Sequence, residues 1–286
     1  MIELKALNQI STKIESGDID VGIAAGVEDM FSVPMGGFNP DFHPNLAEQE
    51  YYIGMGETAE ILAEEGNISR NEQEQFAIQS HEKALDAWEN GRYKKEIIPI
   101  DMYGDSVIEK DEGPRVPDVE KIKSLDPAFV ENGSITAATS SPVSIGAAAV
   151  LITSKKFAEK HSLAIRATIR GRSVVGVDWR KMGMGPIPAT EKVLKKVGMN
   201  MDEIDVIELN EAFAAQSLYV IKNGGWNIDK INLNGGAIAL GHPLGCSGSR
   251  IITTLINVME QQESKTGLAT MCIGTGQGIA TILERN

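Results

Sequence analysis

One stretch limits what this chain can become more than any other: Asn234-Gly-Gly-Ala-Ile-Ala-Leu-Gly-His-Pro-Leu-Gly-Cys-Ser-Gly-Ser-Arg250. It sets His242 between Gly241 and Pro243. It then runs into Ile251, Ile252, Leu255, Ile256 and Met259, apolar at helical spacing. Glycine admits close backbone approach and positive φ. Proline pins the turn that follows. The pattern predicts a rigid loop that holds an imidazole where a strand-and-helix layer meets a ligand.

Two further segments extend the pattern. Asn210-Glu-Ala-Phe-Ala-Ala-Gln216 follows the strand-like Asp205–Leu209, and Cys272-Ile-Gly-Thr-Gly-Gln-Gly278 follows the strand-like Gly267–Met271. Asn210, His242 and Cys272 thus each fall at a strand end or a helix mouth. Open α/β sheets place their chemistry there. Each residue also has a plainer reading: a loop histidine, a helix N-cap asparagine, a small buried cysteine.

Bulk properties narrow the classes. The chain has 286 residues, 42% hydrophobic and 23% charged, which suits one or two globular cores. A formal net charge of −13 argues against a nucleic-acid binder. No apolar run is long enough for a membrane span, and Glu3 and Lys5 interrupt any signal-peptide core. Two cysteines, Cys246 and Cys272, imply reduced thiols in a cytosol-like compartment. Four scattered histidines and two distant cysteines form no zinc set. Arg115, Lys121, Lys123, Arg172, Arg180 and Lys181 are candidates for a basic mouth, with a solvated mixed surface as the alternative.

Along the chain, residues 1–30 read as a helix, striped by Leu4, Leu7, Ile10 and Ile14, and then a strand. Residues 31–143 read as an irregular insertion, with helices near 55–65 and from the capping box Ser69-x-x-Glu72 to Gly91. Residues 144–162 return to the first sheet through Gly146–Ile152. Residues 163–286 alternate β and α: strand 166–177, helix 189–197, strand 205–209, helix 211–222, strand 231–234, helix 250–261 and a hairpin of 267–273 with 279–284.

The blocks around Asn210, His242 and Cys272 resemble the thiolases, acyl-CoA acyltransferases that make or cleave 3-ketoacyl-CoA. Gly17–Glu28, Met55–Glu60, Ser69–Glu72, Thr136–Ser141 and Met182–Ala189 fall in that family's order. Phe38-Asn-Pro-Asp-Phe-His-Pro44 leans toward the degradative type. The resemblance implies an α/β fold of layered αβαβα architecture. On that resemblance the C-terminal domain (163–286) would be complete and the N-terminal domain partial (1–30 and 144–162), with 31–143 as the loop domain for substrate.

It also implies roles. His242 would polarise a thioester carbonyl, Cys272 would act as acid and base, Asn210 would hold a water beside His242, and the Gly274 N–H would form half of a second oxyanion hole. Ser141, Met182, Phe129, Phe213 and Arg115 match positions that bind the coenzyme A arm, with core packing the alternative for the two phenylalanines. CoA or acyl-CoA is then substrate, with no covalent cofactor and no metal. A cytoplasmic homo-oligomer is implied. The sequence departs from the family at Gly54, Pro142 and Ile145. More seriously, the acyl-accepting cysteine would precede Met1. The expectation is therefore of a chain inactive alone. A separate N-terminal polypeptide would then supply the cysteine, or the chain would be a non-catalytic remnant that binds CoA or pairs with another chain.

Overall fold

The computed structural model describes residues 2–33, 36–104 and 106–285. Met1, where the sequence analysis sets the break, lies outside the described residues. In chain order the first elements are α1 (Ile2–Glu15), β1 (Val21–Asp29), α2 (Pro44–Glu48), α3 (Met55–Glu65), α4 (Arg70–Glu89), β2 (Ile100–Asp101), β3 (Val107–Ile108) and α5 (Val119–Lys123). β4 (Ile145–Thr153), α6 (Lys155–Lys160), β5 (Thr168–Gly176), α7 (Pro186–Val197), β6 (Val206–Leu209) and α8 (Ala214–Gly224) follow. The chain closes with α9 (Ala237–Leu240), α10 (Ser247–Gln261), β7 (Thr266–Ile273) and β8 (Gln277–Glu284).

Two sheets organise these elements. β1 and β4 pair antiparallel, from Val21 opposite Thr153 to Asp29 opposite Ile145. The larger sheet runs β5-β8-β7-β6, with β6 and β7 parallel and the other pairs antiparallel. β7 and β8 are buried along almost their whole length, because helices clad both faces. Such strands read as continuous apolar runs.

α1 and α10 fill the space between the sheets. Leu4 and Leu7 from α1 pack with Ile251, Ile252, Leu255 and Met259 of α10, Ala24 of β1, and Ala269, Met271 and Ile279 of the larger sheet. This is the predicted stripe of α1 at work. On the far face, Val193 and Leu194 of α7 and Val220 and Ile221 of α8 pack against Ile207, Leu209, Leu268, Ala280 and Ile282. Among the described residues the order is sheet, helices, sheet, helices. That is four of the five layers expected.

Three differences from the sequence reading have local causes. α8 begins at Ala214 with Phe213 at its N-cap, not at Glu211, because Glu211 is drawn off to other partners. Residues 231–234 form no strand. Ile231 makes a single parallel bridge to Ile207, and Asn232 at φ 47 turns the chain away. The side chain of Asn232 then substitutes for a strand: it accepts from Leu209 N at 2.9 Å and donates to Leu209 O at 2.8 Å. Finally, the candidate basic mouth is largely neutralised. Arg172 pairs with Glu15, Arg180 with Asp178, Lys181 with Glu65 and Lys123 with Glu120.

Candidate active site

β6 and β7 are parallel, with Leu209 opposite Thr270. Asn210 extends that pairing by one residue, its N–H donating to Thr270 O at 3.0 Å. The register therefore sets Asn210 alongside Met271 and leaves Cys272 one residue further on, at the same end of the sheet. Asn210 is fully buried.

His242 arrives from the loop between α9 and α10. Gly241 precedes it at φ 99, a left-handed backbone that disfavours side chains. Pro243 O then accepts from Cys246 N at 2.9 Å, Ser247 N at 3.0 Å and Ser247 Oγ at 2.9 Å, which locks the turn. The His242 N–H donates to Ser144 Oγ at 3.2 Å, tying the loop to the chain entering β4.

The ring lies between two partners: Nδ1 is 2.6 Å from Ser247 Oγ, and Nε2 is 3.3 Å from Asn210 Nδ2. Burial holds the imidazole far below its usual value, to about 3, so it is neutral near pH 7. One nitrogen then donates and the other accepts. The single hydrogen of Ser247 is committed to Pro243 O, so Nδ1–H donates to Ser247. Nε2 keeps its lone pair and accepts from the Asn210 amide. This assigns the tautomer from the network. Asn210 Oδ1 is buried and without a partner. A buried amide oxygen with no donor is costly, and it marks a place where a water or a ligand group fits.

Cys272 is 5% exposed and pairs across the β7–β8 hairpin with Gly278. Burial pushes its thiol up to about 12, so it keeps its proton at neutral pH. Around it lie Ala59 and Ala63 of α3, with Ile135, Met182, Ala212, Phe213 and Ala215. Gly274 follows in the hairpin turn, half-buried, and Met55 Sδ would lie 3.7 Å from a Cβ built there. The apolar wall around a thiol is the usual composition of a small-molecule site.

The residues expected to bind substrate divide into two groups. Met182 and Phe213 are in the cluster around the thiol. Phe129 stacks edge-on against Phe213 at 5.6 Å between ring centroids, and Ser141 N donates to Ala212 O at 3.0 Å. Arg115 stands elsewhere: its N–H donates to His81 Nδ1 on α4 at 3.4 Å. The sequence reading did not single out Ser144 and Ser247, which hold His242. The signal for Ser247 was present: a hydroxyl five residues after His242, on the first turn of a helix.

A cleft of about 840 Å³ opens between α3 and the 130–134 segment, lined by Phe42, Ile53, Glu57, Glu60, Ile61 and Val130 among others. Those α3 residues lie on the helix face opposite Ala59, which packs toward Cys272. Ala63, in the cluster around Cys272, also lines the cleft, which therefore borders the apolar wall of the thiol. Among the described residues no group of three or more His, Cys, Asp or Glu side chains is set to hold a metal ion, and no helix is long and apolar enough to cross a membrane.

A layered α/β fold, with an imidazole in contact with a carboxamide at one end of its larger sheet and a thiol on the neighbouring strand, is the arrangement the acyl-transfer reading expects. Family comparisons agree. Residues 3–156 match the family described as "Thiolase, N-terminal domain", and residues 163–285 match "Thiolase, C-terminal domain". The chain belongs to the thiolase family of acyl-CoA acyltransferases.

It is 50% identical over 293 residues to a 3-ketoacyl-CoA thiolase of Pseudoalteromonas atlantica, covering 99% of this chain and 75% of that protein. A 3-ketoacyl-CoA thiolase of Idiomarina loihiensis is 49% identical, with 99% and 76% covered. Among solved structures, human mitochondrial 3-ketoacyl-CoA thiolase in complex with CoA superposes with a TM-score of 0.92 at 35% identity, covering 99% of this chain and 75% of that one. The dimeric peroxisomal thiolase of Saccharomyces cerevisiae gives 0.92 at 39%, covering 99% and 74%.

Proposed function

We propose that this chain binds coenzyme A thioesters and contributes three reacting groups to the thiolytic cleavage or formation of 3-ketoacyl-CoA. In the cleavage direction a thiolate attacks the 3-keto carbon, forming the S–C3 bond and pushing the carbonyl pair onto oxygen. The C2–C3 bond then breaks, leaving its electrons on C2 as a thioester enolate. A proton from the Cys272 thiol quenches C2, and acetyl-CoA leaves. Cys272, now a thiolate, takes the proton of a second CoA thiol, whose sulfur bonds to the acyl carbon as the bond to the accepting thiol breaks and that thiolate leaves. Splitting the transfer through a thioester is ordinary covalent catalysis.

His242 and Asn210 serve the oxygen. With a lone pair on Nε2, His242 is a base for an incoming thiol. Once protonated there, it becomes a donor to the developing oxyanion. Preplaced donors of this kind supply a large share of acyl-transfer catalysis. The unpartnered Asn210 Oδ1 is the natural anchor for a water that shares the oxyanion with His242. The observation that carries this reading is the contact between Asn210 and His242, at the sheet end that also bears Cys272.

The acyl-accepting thiol is neither of the two in this sequence. Cys272 keeps its proton, and Cys246 is 2% exposed, its Sγ 3.5 Å from where a Cβ built at Gly146 of β4 would fall. Phe129, Phe213, Met182 and Ser141 are proposed to line the pantetheine arm. Arg115, held against α4, is proposed to reach only the outer, phosphate end. Assembly with further thiolase chains is proposed from the open apolar face of β1 and β4.

Calorimetric titration with CoA and acetoacetyl-CoA tests the binding claim. Heat with a micromolar-to-millimolar constant is expected, weakened at least tenfold by Met182→Lys. No heat and no thermal shift would remove it. Thiolysis is tested by co-expression with an amino-terminal thiolase fragment. Activity above either piece alone is expected, and it should vanish in His242→Ala.

A further inference from the structure

Glu211 follows Asn210 directly, yet its side chain turns away from the reacting groups and is 2% exposed. Its Oε2 accepts from Ser80 Oγ on α4 at 2.7 Å and from the Ile238 N–H of α9 at 3.1 Å. Its Oε1 accepts from Asn232 Nδ2 at 2.8 Å. Lys83 of α4 also adjoins it, donating to Ile231 O at 3.0 Å. A Cβ at Gly236 would fall 2.1 Å from the Glu211 carboxyl carbon, so the chain before α9 passes directly over the carboxylate.

None of these partners can reverse its role. Ser80 Oγ accepts from Gly236 N at 3.1 Å, so its own hydrogen goes to Glu211. Asn232 cannot flip, because its Oδ1 accepts from Leu209 N while its Nδ2 donates to Leu209 O. The Ile238 N–H is a fixed backbone donor. The cavity therefore presents hydrogens to both carboxylate oxygens. An ionised carboxylate accepts at both, whereas a carboxamide must turn two hydrogens onto at least one donor.

We propose that Glu211 is a positioning residue for the acyl-transfer site: one buried carboxylate clamps α4, the Asn232 turn and the start of α9, and so fixes His242 relative to Asn210. The covalent path makes the reason plain. Asn210 is the preceding residue, and His242 lies four residues beyond Ile238. The contact between Nδ2 and Nε2 at 3.3 Å is set by two chain segments joined through Glu211. Small displacements at such a pair are costly to rate. Other groups around a site orient the reacting ones in the same manner. This inference rests on the functional reading above, but its test does not need catalysis.

The test is Glu211→Gln, read by nitrogen-15 spectra of the imidazoles in the purified chain without ligand. Four histidines occur in the sequence, and the His242 signals are assigned by their loss in His242→Gln. In the unmodified chain His242 should give one protonated and one unprotonated nitrogen. In Glu211→Gln, still folded by circular dichroism, the two signals should converge as the tautomer ceases to be fixed. Ser80→Ala removes one tether with less disturbance and should move the signals the same way by less. It decides the matter if Glu211→Gln does not fold. Unchanged His242 signals in a folded Glu211→Gln, or in Ser80→Ala should the former not fold, overturn the proposal. Failure of the unmodified chain to bind CoA would sink the functional reading and leave this result standing.

Discussion

The two longer-stranded sheets of this protein are built from similar residues and live in different surroundings. β7 reads Thr-Gly-Leu-Ala-Thr-Met-Cys-Ile and is buried on both faces. β1 reads Val-Gly-Ile-Ala-Ala-Gly-Val-Glu-Asp, just as apolar, but every second residue is exposed. Ile23, Val27, Ile145 and Leu151 are 63%, 73%, 64% and 56% exposed, and Ile23 lies opposite Leu151 across the pair. Continuous apolar runs belong to strands covered on both faces. The larger sheet meets that rule within the described residues, and the smaller one meets it on one face only. The reacting groups ride mainly on the fully clad sheet. The half-clad one meets the His242 loop at its edge, through Glu28 of β1, whose Oε2 accepts from Gly245 N at 3.0 Å, and through Ser144 just before β4.

The comparison breaks most sharply through core truncation. Leu255→Ala, from a fully buried side chain between the sheets, should cost about 2–5 kcal/mol. Leu151→Ala on the open face should cost no more than about 0.5 kcal/mol. Urea unfolding followed by circular dichroism measures both, and comparable losses would mean the face is covered in solution. Phe213→Ala, beside Cys272, should cost about 3 kcal/mol. Its half-exposed stacking partner Phe129 should cost under about 1.5 kcal/mol, so a larger loss at Phe129 would place it in a core rather than a channel wall.

How much of this could be read from the chain depends on whether the cause was local. The capping box is present as expected: Ser69 Oγ accepts from Glu72 N and Glu72 reaches back to Ser69 N at 2.7 Å. The α1 stripe and the β7–β8 hairpin were equally visible, the one as a 3.6-residue periodicity and the other as two strand-like runs joined across glycines. The 231–234 strand and the 211 helix start failed for a shared reason. Asn232 and Glu211 bond to each other and to distant partners, and no propensity reports a contact 21 residues away. The expected trio resolved likewise in part. The Asn210–His242 contact joins residues 32 apart and followed from motif order, whereas the tautomer depends on Ser247 and only coordinates reveal it. The basic mouth failed because the sequence lists cations without showing which carboxylates face them.

Titration offers a subtler separation. Burial pushes the Glu208 carboxyl up to about 8, with Arg250 opposing, and Glu96 up to about 7. Unfolded, both return to the ordinary carboxylate range. Between those limits the folded state holds more protons, so stability falls as pH rises. His81 and His242, held down to about 4 and about 3 by burial, work oppositely, losing stability as pH falls below about 6.5. Above pH 7 the carboxylates dominate, joined toward pH 9 by the buried Cys272 thiol, whose raised value acts in the same direction. The melting temperature should therefore fall from pH 7 to 9, and Glu208→Gln should remove much of that slope. At about 2–4 °C per kcal/mol, a calorimetric scan resolves it. A flat profile in the unmodified chain would place these carboxylates in contact with water.

The smallest expected change in stability carries the most information about the open sheet. Replacing Ile23 and Leu151 together by threonine keeps β-branched or β-favouring side chains on the strands and removes the apolar character of one cross-strand pair. If the face is exposed in the single chain, folding stability should move by no more than about 0.5 kcal/mol per site. Association should respond far more, because an apolar face beside two unpaired strand edges is a ready surface for another chain. Sedimentation velocity over a range of concentrations reads this directly. The unmodified chain should show larger species that the double substitution reduces. If both sediment alike as monomers, the face is not where partners bind, and the contrast between the sheets would be one of exposure without consequence.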